Sequence, residues 1–294
     1  DWPSEECRSG FPGLPPFVRG SRPAGSVQTG WDVRQEHADP DLLATRQAID
    51  DDLQGGVTSL QIRLDFAARN GLDPDDPLAA AFAGRDGLMA YDVDDFDQAL
   101  ANAPLKSVPV ALEAGAAFIP AAAILAALWD RRQIAPEAAR GAFNADPLAV
   151  LSRDGQLPIA PIRALSMVGE LASWTSQNYP HVTAVRVGTA PYHHAGATAA
   201  QDIAFALATG VEYLRAMEAA GLEVGTAARQ ILFSMALGTH QFLAIAKLRA
   251  VRQLWSRVVN QCGAPPEAGA MQLHARTSKR ILTQRAPQIN TLRN

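Results

Sequence analysis

One feature constrains this chain more than any other. Short apolar runs of strand-like periodicity recur along it, separated by stretches whose apolar residues fall at helical spacing. The strand candidates are "VTSLQIRLD", the segment Leu88 to Tyr91, "KSVPVALE", "GAFNAD", "HVTAVRVGTA", "RQILFSMALG" and "MQLHART". Between them lie helical patterns: "LLATRQAIDDDLQGG", "DVDDFDQALANA", the alanine-rich Pro120 to Arg132, "APEAARG", "PIRALSMVGELASWTSQNY", "ATAAQDIAFALATGVEYLRAMEAAG" and "HQFLAIAKLRAVRQLWSRVV". Gly55-Gly56 closes the first helix, while Asp92 or Asp94 and Pro120 supply start signals for later ones. Strands alternating with helices predict a parallel sheet, and right-handed crossovers curl such a sheet toward a barrel. The expected fold class is therefore α/β, a TIM (β/α)8-type barrel. Seven strand candidates leave the last strand missing, because "APQINTLRN" reads as the opening of a helix and then stops. On this reading the chain is a fragment, truncated before the eighth strand.

Length and composition agree with that class. The 294 residues, 48% of them hydrophobic, suffice for two average domains or for one barrel of about 250 residues. Residues 1–38 are expected to form an irregular extended arm: "FPGLPPFVRGSRPAG" is dense in proline and glycine and has no hydrophobic period. Such a segment is expected to lie on another surface. The barrel domain would then occupy 39–294.

Charge narrows the function classes. With 26 basic and 30 acidic residues the net charge is -4, and no block of like charges occurs, so a nucleic-acid surface is not expected. The apolar stretch Val110 to Trp129 is interrupted by Glu113, Gly115 and Pro120, which argues against a membrane span. No signal peptide is read at the start, although the chain begins at Asp1 without a methionine and residues of a longer parent are expected to be missing. Cys7 and Cys262 form neither a CxxC pair nor a disulfide framework, and a reducing cytoplasm is the expected location.

"PYHHAG", Pro191 to Gly196, is the stretch richest in chemistry. It follows the fifth strand candidate, at the end where barrel active sites collect. In an extended segment His193 and His194 point to opposite sides, so they share a pocket only if the backbone turns between them. The pair lacks a third ligand at helical spacing, so no metal site is expected. A neutral imidazole here is either a general acid or hydrogen-bond donor, or a loop histidine satisfied by backbone. Glu113 and Asp146, at two other strand ends, are candidate acid and base, or simply loop and cap carboxylates. No GxSxG, GxGxxG or Walker loop is present. Lys247, Arg249 and Arg252 in "AKLRAVRQLW" read as the solvated basic face of a core helix.

Several of these segments together resemble one family, the methylmalonyl-CoA mutases, which isomerise acyl-CoA thioesters with adenosylcobalamin. "PGLPPFVRG" followed by "WDVRQ" is similar to the family's amino-terminal arm; "GATAAQDIAFALATGVEYLRAMEAAGL" and "AKLRAVRQLW" are similar to its barrel helices, and "HARTS" to its seventh-strand end. The resemblance runs from about Pro12 to Asn294. It implies the barrel, and it implies specific losses. Where catalytic members place a substrate-facing tyrosine beyond the arm's Arg-Gly pair, this chain has Ser26. Their fourth-strand end GTIQND is here "GAFNAD", with Ala142 and Asn144 at the substrate-facing positions. The arginine that holds the acyl carboxylate is replaced by Asp154, beside Arg153. Gln272 stands at an arginine position of the seventh strand, and Lys279-Arg280 replace Gly-Trp. Tyr192 and His193 alone match the family's Tyr-His pair, in a loop two residues shorter.

The resemblance thus implies a noncatalytic small subunit, with no catalytic residues expected and Tyr192 and His193 as vestiges. Its implied partner is a homologous catalytic large subunit, in a heterodimer that interconverts succinyl-CoA and methylmalonyl-CoA. The resemblance implies that adenosylcobalamin sits on the large subunit, with none expected on this chain; the DxHxxG that marks the family's cobalamin domain does not occur in these residues. The alternative is a catalytic acyl-CoA mutase with another acyl substrate, still using Tyr192 and His193. A weaker alternative is a cobalamin-independent barrel enzyme built on Glu113, Asp146 and His193.

Overall fold

A computed structural model of the chain describes residues 10–27 and 30–292. Cys7 lies outside them. Seven strands run β1 (Arg34–His37), β2 (Ser59–Arg63), β3 (Val110–Glu113), β4 (Gly141–Ala145), β5 (Val182–Gly188), β6 (Ile231–Leu237) and β7 (Gln272–Thr277). The strand order in the sheet is sequential, β1 through β7, and the registers of β1 to β5 and of β6 with β7 are parallel. Sequential parallel order with intervening helices is that of a (β/α)8-type barrel lacking its last strand.

Ten α-helices connect these strands among the described residues: α1 (Leu42–Gln54), α2 (Phe66–Arg69), α3 (Val93–Ala99), α4 (Phe118–Arg131), α5 (Pro147–Asp154), α6 (Pro161–Asn178), α7 (Ala190–His194), α8 (Ala199–Ala219), α9 (Val224–Arg229) and α10 (Gln241–Gln261). Their starts are set by side chains that accept the orphan amides of the first turn. Asp41 caps α1 and Asp92 caps α3, while Thr198 and Gln201 close a reciprocal capping box on α8.

Two of the expected elements differ. Leu88 to Tyr91 is not a strand: Leu88 makes an isolated bridge to Leu64, and the Tyr91 amide donates to the Asp95 carboxylate at 2.8 Å. The local side-chain acceptor wins over a sheet ladder. A strand that the hydrophobic pattern did not announce lies instead at Arg34–His37. Its residues "RQEH" are polar, yet Arg34 Nε donates to Ser59 Oγ at 3.0 Å and Gln61 Nε2 donates to the Glu36 carboxylate. Cross-strand polar pairing substitutes there for apolar alternation. The segment "APEAARG" forms turns in place of the expected helix.

Two compact units divide the chain, one spanning 31–185 and the other 1–30 with 186–294. In the first, Trp129, Phe143, Trp174 and Tyr179 form an aromatic cluster with centroids 5.3 to 6.4 Å apart. Its β3 and β4 approach so closely at Gly141, where φ is 151°, that an added Cβ would stand 1.9 Å from the Val110 carbonyl oxygen. In the second, Trp255 of α10 meets Phe233 of β6 edge-on at 4.7 Å, both fully buried. Gly210 on α8 leaves room for that indole, since a Cβ there would lie 2.9 Å from the ring. This contact seats α8 and α10 on β6, which brings the site residues of that unit together.

Candidate functional site

The stretch Ala190–His194 is not an extended loop. It forms α7, one helical turn immediately after β5, with Pro191 in its first turn, where a missing amide costs nothing. The backbone therefore does turn between the two histidines, and their rings stand 5.8 Å apart. Tyr192 stacks on Phe205 of α8 at 4.5 Å.

His193 is held on both sides. Its Nδ1 lies 3.3 Å from Asp202 Oδ2 on α8, and its Nε2 lies 2.8 Å from Ser278 Oγ, just after β7. A carboxylate beside Nδ1 places the ring proton there, so Nε2 presents a lone pair and accepts from the Ser278 hydroxyl. Ser278 is fully buried, and its oxygen also accepts the Arg280 amide at 3.1 Å. Asp202 is fully buried as well, and it pairs with the buried Lys247 of α10, whose ammonium donates in addition to the Ala236 carbonyl at 2.9 Å. The result is one continuous chain of polar groups, Ser278 to His193 to Asp202 to Lys247, fixed by four separate elements.

Lys247 corrects the expectation of a solvated basic face. The buried positions of α10 include Lys247, Val251, Trp255 and Val259, so the lysine lies on the inward stripe at four-residue spacing. Its charge hid this in the sequence. The compensating signal was Asp202, 45 residues earlier, which only the fold brings into contact.

Electrostatics keep the imidazoles neutral. Burial pushes the His193 pKa below its ordinary value, with Lys247 and Arg280 adding to the depression and Asp202 opposing it. His194 is depressed by burial, then by His193, Lys279 and Arg276. The order serine, histidine, aspartate has the connectivity of a nucleophilic relay, but a fully buried hydroxyl beside a lysine-neutralised carboxylate offers no attacking atom to a substrate.

The other residues singled out by sequence sit in structural roles. Asp146 caps α5 by accepting the Ala149 amide at 3.3 Å, and Glu113 lies buried 3.9 Å from the Arg153 guanidinium. Arg153 also makes a two-pronged contact with Asp154, both distances 2.8 Å. Ala142 is buried in β4. Asn144, at φ 55°, donates to the Leu112 carbonyl at 2.8 Å. Gln272 donates to the Arg229 carbonyl at 3.0 Å, and Ser26 is exposed in the arm. Among the described residues, no group of three or more His, Cys, Asp or Glu could hold a metal ion, and no helix is long and apolar enough to cross a membrane.

Comparison with known proteins places this arrangement. The model of the family described as methylmalonyl-CoA mutase matches residues 1–294. A curated relative from Streptomyces virginiae, named methylmalonyl-CoA mutase small subunit, is 42% identical over 97% of this chain and 42% of its own length. A protein of Mycobacterium bovis named probable methylmalonyl-CoA mutase small subunit is 36% identical over 96% of this chain and 42% of its own. The methylmalonyl-CoA mutase of Escherichia coli is 28% identical over 98% of this chain and 40% of its own. The chain thus spans about two fifths of the length of the curated relatives it matches. A family model that matches all 294 residues, joined to a relative 42% identical over 97% of them, shows the family: this chain belongs to the methylmalonyl-CoA mutase family.

Proposed function

We propose that this chain is the arm and barrel region of a noncatalytic small subunit, which supports a homologous large subunit in a heterodimeric methylmalonyl-CoA mutase. The observation that carries the reading is the closed polar chain through His193. To polarise a thioester carbonyl, an imidazole must offer an N–H to it. Here the Nδ1 proton faces the buried Asp202 and Nε2 is taken by the buried Ser278 hydroxyl. The ring is a strut. Asp154, turned into a partner for Arg153, and Gln272, bonded to a backbone carbonyl, support the same reading, as do the names of the small-subunit relatives.

Among the described residues His193 offers no free ring nitrogen to a cofactor, since both are engaged within the chain. On this reading the cofactor and the interconversion of succinyl-CoA and methylmalonyl-CoA belong to the large subunit, the complex works in the cytoplasm, and residues 1–38 reach the partner from the barrel domain at 39–294. Support for the arm contact comes from Phe11, Leu14 and Val27, large apolar side chains left exposed there at 71%, 55% and 91%. Co-expression with the large subunit tests this. A stable one-to-one complex that is lost on changing Phe11 and Leu14 to serine is expected. Turnover by the small subunit alone, supplied with adenosylcobalamin, would overturn the noncatalytic reading.

A further inference from the structure

We infer that the surface formed by His194, Lys279 and Arg280, beside the C-terminal end of β7, is a binding site for a phosphate group. Lys279 and Arg280 follow β7 after the single residue Ser278 and are exposed, as is His194 at the end of α7. Arg280 Nη1 reaches the carbonyls of His193 and Ala197, at 3.5 and 3.4 Å, so its guanidinium is anchored over the turn that carries His194. Neutral carbonyls leave its charge uncompensated and its other N–H groups available. Among the described residues, no carboxylate pairs with Arg280 or with the Lys279 ammonium.

The potential at this surface is felt by the two imidazoles. Burial is the largest cause of depression at both rings; after it His193, Lys279 and Arg276 add to the depression of His194, and Lys247 and Arg280 to that of His193, while the one carboxylate acting on both rings, Asp202, is buried and already paired with Lys247. An excess of positive charge next to water attracts an anion. A guanidinium fork, a mobile ammonium and an imidazole together match the several oxygens and double charge of phosphate better than a planar monoanion. This site stands apart from the question of catalysis: it takes its ligand at exposed cations, not at the engaged His193 ring.

The test is calorimetric titration with inorganic phosphate and with pyrophosphate, against acetate and chloride at matched ionic strength. Saturable phosphate binding at one site is expected, weakened about tenfold or more by Lys279→Gln and further by adding Arg280→Gln, and unchanged by Arg229→Gln on the exposed surface before β6. Lys279→Gln decides the matter on its own, since Lys279 has no contact on which the turn depends. Saturation should also raise the NMR-measured pKa of His194. Absence of saturable binding, equal binding of acetate, or binding indifferent to Lys279→Gln would each overturn the assignment.

Discussion

Replacing Lys247 by methionine removes the positive end of the buried polar chain while keeping the volume of the side chain. Asp202, fully buried, would retain only the His193 contact at 3.3 Å, and the Ala236 carbonyl would lose its ammonium donor. Stranding a buried charge in this way costs about 3–5 kcal/mol. At a urea slope of about 3 kcal/mol/M the unfolding midpoint should fall by about 1–1.7 M. Amide exchange along α10 should speed up in parallel, because the lysine sits on its inward stripe. The double variant Asp202→Asn with Lys247→Met should recover much of the loss, since it removes both charges together. The pKa of His193 should also rise in Lys247→Met, as a repelling cation disappears and Asp202 becomes free to stabilise the imidazolium. A midpoint shift below about 0.3 M, under about 1 kcal/mol, would refute the view that Asp202 and Lys247 form a buried, charged pair.

Further outcomes follow from the same geometry. His37, His193 and His194 all have pKa values below the ordinary 6.5, so the unfolded chain takes up their protons first and stability must fall as pH drops through about 6.5. Urea midpoints between pH 8 and 5 should show this, with a shallower decline in His193→Gln; stability that rises on acidification would contradict the assigned burial. Gly141→Ala should destabilise by at least about 3 kcal/mol, because its methyl would meet the Val110 carbonyl between two paired strands. A thermal midpoint unchanged in Gly141→Ala would show that the β3 and β4 spacing is wrong.

Much of this fold was legible because local signals and hydrophobic period agree. Gly55 ends α1 and Asp92 begins α3 where the sequence predicts, and six of the seven strands coincide with apolar runs. The missed strand β1 and the misplaced Lys247 have one physical cause, polar side chains whose partners lie far away in sequence, whereas Leu88 to Tyr91 is diverted by a local acceptor, Asp95. Arg34 and Glu36 make a strand by pairing with Ser59 and Gln61, 25 residues on, and no window-based period reveals that. Lys247 reads as solvated in the sequence for the same reason, its partner Asp202 lying 45 residues earlier. At the site, the family resemblance singled out Tyr192 and His193, and Pro191 was the available cue that a helical turn starts there. Ser278 and Asp202 were not anticipated, since neither carries meaning until β7 and α8 bring it to the imidazole.

On the proposed reading His193 performs no chemistry. The most direct test is His193→Gln in the complex of this protein with the large subunit, supplied with adenosylcobalamin and methylmalonyl-CoA. Glutamine can still donate toward Asp202 and accept from Ser278, so assembly is retained and can be checked by gel filtration. A kcat within about twofold of the unaltered complex is expected. A fall of about a hundredfold or more with the complex intact, the loss typical of a missing general acid, would contradict it and return His193 to the active site.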